Sequence, residues 1–315
     1  LLKKLRTTAM VGLALTAAAN LSVGVAQAAP ARSVTAQPVA GDAADAPDPG
    51  AKRNSPEVDL VHYPKLTQEQ LKARVARDVR AQATAPASLA NAEVSSVERT
   101  TDGLIVTRYT AAPGVTPEQL AEKLRKTGKQ GVSIDRMPAT SLAPSDCSYG
   151  TAHSWSCPVA YWRNNGFADP LVRFNDHASS AWPTDNAVYK WNQTPNIDSK
   201  YLWNSCPFQA GARCVDVRSG DWGTEGGWIG STELHLQSGP GGPFVEQGAV
   251  VQLNDAFVPD GTWTRNNVVT HELGHVLGLD HNSYSGDVLY YLANLREDIG
   301  GQNPAMLASI YSITR

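Results

Sequence analysis

Neither cysteine nor tryptophan occurs before Asp146: all four Cys (147, 157, 206, 214) and all eight Trp (Trp155 to Trp263) follow it. A homogeneous single domain is therefore not expected, and 315 residues leave room for about two domains. The chain has no C-x-x-C, which removes support for a thiolate metal site or a thioredoxin-like redox role. It has no G-x-S-x-G elbow and no P-loop, so serine-hydrolase and nucleotide readings find no foothold. After the N-terminus no apolar run is long enough to span a bilayer. Charge of neither sign dominates, with 27 Lys+Arg against 30 Asp+Glu, which argues against a basic nucleic-acid binder. Hydrophobic residues make up 42%, too many for a disordered chain.

Charge distribution says more than its total. Residues 1–146 carry 18 Lys+Arg and 14 Asp+Glu, whereas 147–315 carry 9 and 16, so a mildly basic half precedes an acidic one. Residues 1–29 have the layout of an export signal. Lys3, Lys4 and Arg6 precede an apolar run from Ala9 to Val25, and Ala26-Gln27-Ala28-Ala29 offers a small-residue cleavage site. Export permits disulfides, and the spacings C-x9-C (Cys147, Cys157) and C-x7-C (Cys206, Cys214) fit two local bridges, with three pairings formally open.

From Pro30 to about Ser55 the chain is Pro/Ala/Asp-rich and poor in large apolar residues, as a solvated leader is. A helix is expected over Thr67 to Ala81, with Thr67 as its N-cap, and another from Thr116 to about Thr127 with Pro117 at its first position. Strands are expected at Gly103–Tyr109 and Val132–Ile134. Together these make a small α+β unit bounded by the Pro/Ser stretch Pro138 to Ser145. Beyond Cys147 the pattern predicts a strand at Leu171–Phe174, a helix over Ser179 to Trp191, and short strands at Tyr201–Trp203, Arg213–Arg218, Trp228–Leu236 and Ala249–Leu253. A last strong helix is expected over Asn266 to Leu279. The fold class is α+β.

The decisive motif is Thr270-His271-Glu272-Leu273-Gly274-His275-Val276-Leu277-Gly278-Leu279-Asp280-His281. Four residues apart on a helix, His271 and His275 project from one face, close enough to share an ion. Glu272 is placed to contact a metal-bound water rather than the metal. Gly278 tolerates positive φ, so it can end the helix and bring His281 round as a third ligand. Three nitrogens with an open fourth position mark a catalytic rather than a structural zinc site. The pattern HExxHxxGxxH has an expected chance count of about 10⁻⁵ in a chain of this composition. Asp280 stands one residue short of the third-ligand position, and Glu297 would suit only a pattern with a distant glutamate ligand, so the histidine assignment is preferred.

On these residues the chain resembles the metzincin superfamily of zinc metalloendopeptidases, and residues 146–315 look most like the catalytic domain of the matrixin branch. The resemblance implies one catalytic zinc, Glu272 as general base, and an extended peptide or protein substrate pairing with an edge strand. Gly230, Ser231, Thr232 and Glu233 are the candidate edge. It also implies a methionine turn, for which Met306 is the sole Met after the motif, reached across an insertion Asn282–Gln302 that is expected to be partly helical (Val288 to Leu295). Tyr311 is at most a wall of the specificity pocket. Residues 30–145 would be a propeptide with no cysteine to silence the zinc, which leaves steric cover or a carboxylate such as Asp135 or Asp146.

His153, His177 and His235 lack the spacing for a second zinc. Asp216, Asp221, Asp255 and Asp260 offer oxygens that calcium could use, but no EF-hand spacing exists, so turn residues are the default. A secreted monomer is expected, without nucleic acid and without membrane contact once the signal is removed. The competing reading is a secreted binding or adhesion protein whose zinc site is structural or vestigial. Hydrolysis that stops with a chelator and returns with zinc separates the two.

Overall fold

Strand β8 (Trp228–Gly239) is where the two halves of the chain meet. The computed structural model describes residues 63–84, 91–137, 159–239, 242–257 and 262–313, all within the unit Ala44–Arg315. The export signal, the Pro-rich leader, Pro138–Ser145, Asp146, Cys147, His153, Cys157 and Asp260 lie outside these residues.

The described elements run α1 (Gln68–Ala83), β1 (Asn91–Thr100), β2 (Gly103–Ala111), α2 (Pro117–Lys126), β3 (Val132–Met137), β4 (Tyr161–Trp162), β5 (Leu171–Asp176), α3 (Thr184–Asn192), β6 (Asp198–Trp203), β7 (Arg213–Gly220), β8, β9 (Gly242–Asn254), α4 (Thr262–Val276) and α5 (Gln302–Ile313). They form a mixed sheet in the order β3-β1-β2-β8-β9-β7-β5-β6, with β4 added on β9. Strands β9, β7, β5 and β6 are mutually parallel. Parallel β5 and β6 need a crossover, and α3 supplies it. From β9 outward through β8, β2, β1 and β3 every pairing is antiparallel.

Local chemistry explains the helix starts. Thr67 and Thr116 each build a capping box, with Gln70 and Gln119 returning the hydrogen bond. Helix α3 begins at Thr184 rather than Ser179, directly after Pro183. Helix α5 starts against the N-terminal unit: the Asp78 carboxylate of α1 accepts from Gly301 N and Gln302 N, a negative charge on a helix N-terminus.

The main core lies between the sheet and helices α3, α4 and α5, around Trp162, Trp182, Trp191, Phe174, Leu234, Leu253 and Tyr311. A smaller core gathers Val94, Tyr109, Leu120 and Leu124 between α2 and the outer strands. A third, Leu66, Leu71 and Ala308, joins α1 to α5. Cys206 and Cys214 are disulfide-bonded, as their spacing suggested.

Two expectations fail. Residues 282–300 contain no helix; they run as turns with isolated bridges, because Asn side chains take the backbone partners a helix would use. Asn267 Nδ2 donates to Arg296 O (2.6 Å) and Asn294 Nδ2 to Asp287 O (2.8 Å). Met306 sits within regular helix α5, buried in the main core, not in a turn.

Candidate active site

Helix α4 carries His271, Glu272 and His275 among Val268, Val269, Leu273 and Val276, all fully buried. Such a helix needs small residues where neighbours press in. At Gly274 a Cβ would stand 2.8 Å from both Trp191 Cζ2 and Leu289 Cδ2. Side-chain donors satisfy its last carbonyls: Trp162 Nε1 donates to Val276 O (2.7 Å) and Tyr311 Oη to Leu277 O (2.7 Å). Tyr311 is thus a buried helix-end donor rather than a pocket wall.

The helix stops in a Schellman turn. Leu279 N donates to Gly274 O (3.1 Å) and Gly278 N to His275 O (3.0 Å), with Gly278 at φ +105°. The turn brings His281 back onto the helix. The Nε2 atoms of His271, His275 and His281 then lie 3.0–3.1 Å from one another, all three facing one point. Two rings are fixed from behind, His271 Nδ1 on Val288 O (2.8 Å) and His275 Nδ1 on Leu279 O (2.9 Å). Those carbonyls make Nδ1 the protonated nitrogen and leave Nε2 a free acceptor.

Burial holds all three imidazoles neutral. It lowers His271 to about 4 and His275 and His281 well below the usual histidine range, with the neighbouring imidazoles adding to the depression in the latter two. Three neutral nitrogens aimed at one point fit zinc's preferred donors. Among the described residues only one other group of three ligand-type side chains converges, Glu93, Asp280 and His281.

Glu272 lies beside the triad with both carboxylate oxygens engaged. Thr110 Oγ1 donates to Oε1 (2.7 Å), and Thr232 Oγ1 stands 2.6 Å from Oε2 and 3.0 Å from the Glu272 carbonyl. Burial pushes this carboxyl up to about 7, against the downward pull of the two hydroxyls. Gly230 leaves the space it needs, since a Cβ there would stand 2.3 Å from Oε1.

Among the sequence-predicted residues, the structure brings together His271, Glu272, His275 and His281, with Gly230 and Thr232 of β8 directly against Glu272. Ser231 and Glu233 lie on the same strand without touching the triad; the Glu233 carboxylate accepts from His235 Nε2 (2.8 Å). Glu297 pairs with Lys190 (3.2 Å) and takes no part. His177 is held by Asn175 and Asn204, Asp216 pairs with Arg218, Asp221 accepts from Gly223 N, and Asp255 accepts from Trp182 Nε1.

Comparison with known families agrees with this geometry. The sequence pattern of the matrixin peptidase family matches residues 174–300. This region is a matrixin-like catalytic domain. The match supports a zinc metallopeptidase of the endopeptidase type, acting on protein or peptide. Among curated proteins no relative matches the chain.

Sequence reasoning missed the residues that cover the matrixin-like site. Strand β2 pairs antiparallel with β8 from Leu104↔Leu236 to Thr110↔Gly230, on the strand proposed to receive substrate. Arg108, buried, reaches Glu93 Oε1 (3.1 Å) and Asp280 Oδ1 (3.2 Å) through its Nε. Two acids share this one arginine, and burial together with the Asp280 charge pushes Glu93 well above the usual carboxylate range. Asp135, the acid suspected of reaching the metal, is exposed on β3; Glu93, its cross-strand partner on β1, is the one beside His281. Under this cover His271, Glu272 and His275 are 0% exposed and His281 is 1% exposed. No local pattern signals these contacts, because Thr110 and Arg108 lie 162 and 172 positions from their partners.

Proposed function

We propose that the protein is a secreted zinc endopeptidase made as a latent precursor, in which residues 146–315 are the enzyme and residues 30–145 its propeptide. The observation that carries the reading is the convergence of three neutral imidazole nitrogens beside a buried carboxylate. His271, His275 and His281 hold the ion, and zinc there supplies Lewis acidity and a more acidic bound water. Glu272 accepts the proton of the attacking water and returns it to the leaving amine. Strand β8 holds the substrate as an added strand through backbone hydrogen bonds. The Cys206–Cys214 disulfide supports export.

The processed enzyme should hydrolyse casein or gelatin, stop on chelation and recover with zinc. In it, Glu272→Gln should keep its zinc by metal analysis and lose turnover by about 10²–10⁴-fold. Full activity in that variant would refute the role given to Glu272. Mass spectrometry of the secreted form should place its N-terminus between Pro138 and Cys147.

A further inference from the structure

Three buried features play no part in the hydrolytic chemistry: β2 along β8, the Thr110 hydroxyl on Glu272, and the ion pairing of Arg108 with Glu93 and Asp280. We infer that residues 107–112 lie in the cleft as a bound peptide lies, and that Asp280 is the specificity-determining residue that binds a basic side chain of that peptide. The inference rests on the peptidase reading above.

The backbone supports the first half. Residues 104–110 follow β8 in unbroken antiparallel register, which shifts only after Thr110. There the partner on the far side changes. Ala111 bridges in parallel to Leu292, in the segment that follows the triad, while on the near side it still pairs with Trp228. Ala112 N then donates to Gly227 O (3.0 Å). The chain at Ala111 is therefore clamped between β8 and the wall beyond His281, the position of a peptide crossing the cleft rather than of a strand merely extending the sheet.

The side chains support the second half. Arg108 and Thr110 are two apart, so they face the same side of the strand. One meets Asp280 and the other meets Glu272, the two acids flanking the triad. Thr110 holds an oxygen of the general base, which denies that oxygen to a water. This explains how a peptide can occupy the cleft uncut without a thiol on the metal. Arg108 has one acid from each half, Glu93 from the leader and Asp280 from the enzyme. When the leader departs, Arg108 and Glu93 leave together. Asp280, only 4% exposed in its side chain while the leader is docked, then loses its cation. The vacated place beside Asp280 keeps its negative charge, and a substrate arginine or lysine entering along β8 restores the pair.

Two measurements test this. First, the intact precursor and its Arg108→Ala and Thr110→Val variants are mixed with a quenched fluorescent peptide, with intact mass confirming that no processing has occurred. Both variants should turn over the peptide at least about tenfold faster than the parent. Glu98→Ala, on the exposed part of β1, should match the parent. Variants as silent as the parent would overturn the first half.

Second, labelled peptides of residues 104–113 (Leu-Ile-Val-Thr-Arg-Tyr-Thr-Ala-Ala-Pro), native and R108Q, are titrated with processed enzyme by fluorescence anisotropy. The native peptide should bind at least about tenfold tighter, and Asp280→Asn enzyme should bind the two alike while Asp280→Glu keeps the preference. Equal binding to the parent enzyme would overturn the assignment of Asp280. An enzyme that binds the native peptide preferentially but cleaves no protein would instead sink the peptidase reading and leave this one standing.

Discussion

At Gly278 the chain needs a left-handed backbone and clearance at once. Its φ is +105°, and a Cβ would stand 2.1 Å from Ala160 O. Gly278→Ala should therefore cost about 2–4 kcal/mol, read as a drop in thermal stability. Zinc content should fall with it, since His281 depends on the turn. Gly230 is a second residue of this kind, with its clearance taken by Glu272 rather than by backbone. Gly230→Ala should leave the fold in place but displace the carboxylate, lowering kcat of the processed enzyme by about tenfold or more. At this scale the metal ligands were legible, because helical spacing and a glycine stop fold His271, His275 and His281 together within eleven residues of sequence. Thr110, Arg108 and Glu93 were not, because only the sheet brings them to the helix.

Among elements, helices with caps could be read directly. Thr67 and Thr116 announce α1 and α2, and the apolar positions of α4 surround its histidines. Strand β1 left no pattern: paired on both sides, it buries Glu93, Ser95 and Ser96 along with Val94, which erases alternation. The segment 282–300 misled in the opposite way. Its apolar run Val288 to Leu292 suggested helix, but Asp287 organises it through side-chain bonds instead. Asn303 Nδ2 donates to both Asp287 oxygens (2.9 and 3.1 Å), and Leu289 N donates to one (2.8 Å). Burial still wins, raising this carboxyl to about 6. The folded chain thus binds this proton more tightly than the unfolded chain does. Stability from this group is fullest below about pH 4 and is lost as pH rises through about 6, by up to about 3 kcal/mol. Asp287→Asn should flatten that part of the stability–pH curve in thermal melts. Asp78 offers a complementary test: Asp78→Ala uncaps α5 and should cost the precursor about 1 kcal/mol while leaving the processed enzyme unchanged.

Across the whole molecule, the composition break at Asp146 was legible but its meaning was only partly so. It separates two sequence styles that nevertheless share one sheet. Tyr63, Lys65 and Leu66 bond to residues 186–198, so the N-terminal part of the chain grips the rest at α3 as well as at β8. The charge difference alone does not locate that grip: Lys65 and Arg77 meet Asp198 and Asp298 near the surface, whereas the pair at the site, Arg108 with Asp280, is buried. On removal of the leader, hydrogen exchange should rise at the outward amides of Gly230–Leu236 and stay slow along β7 and β9.

Strand length has a consequence of its own. In the intact chain the last strand on this side is β3, six residues long with Asp135 and Arg136 in its sequence. Short, charged margins of that kind resist templating by another chain. The strand that the proposed processing would uncover, β8, is twelve residues long and holds Ile229, Leu234 and Leu236. The proposed processing would therefore exchange a protected margin for an adhesive one. On the proposed reading the leader would be a shield against aggregation as well as a plug, and concentrated processed enzyme kept without peptide should self-associate where the intact chain does not.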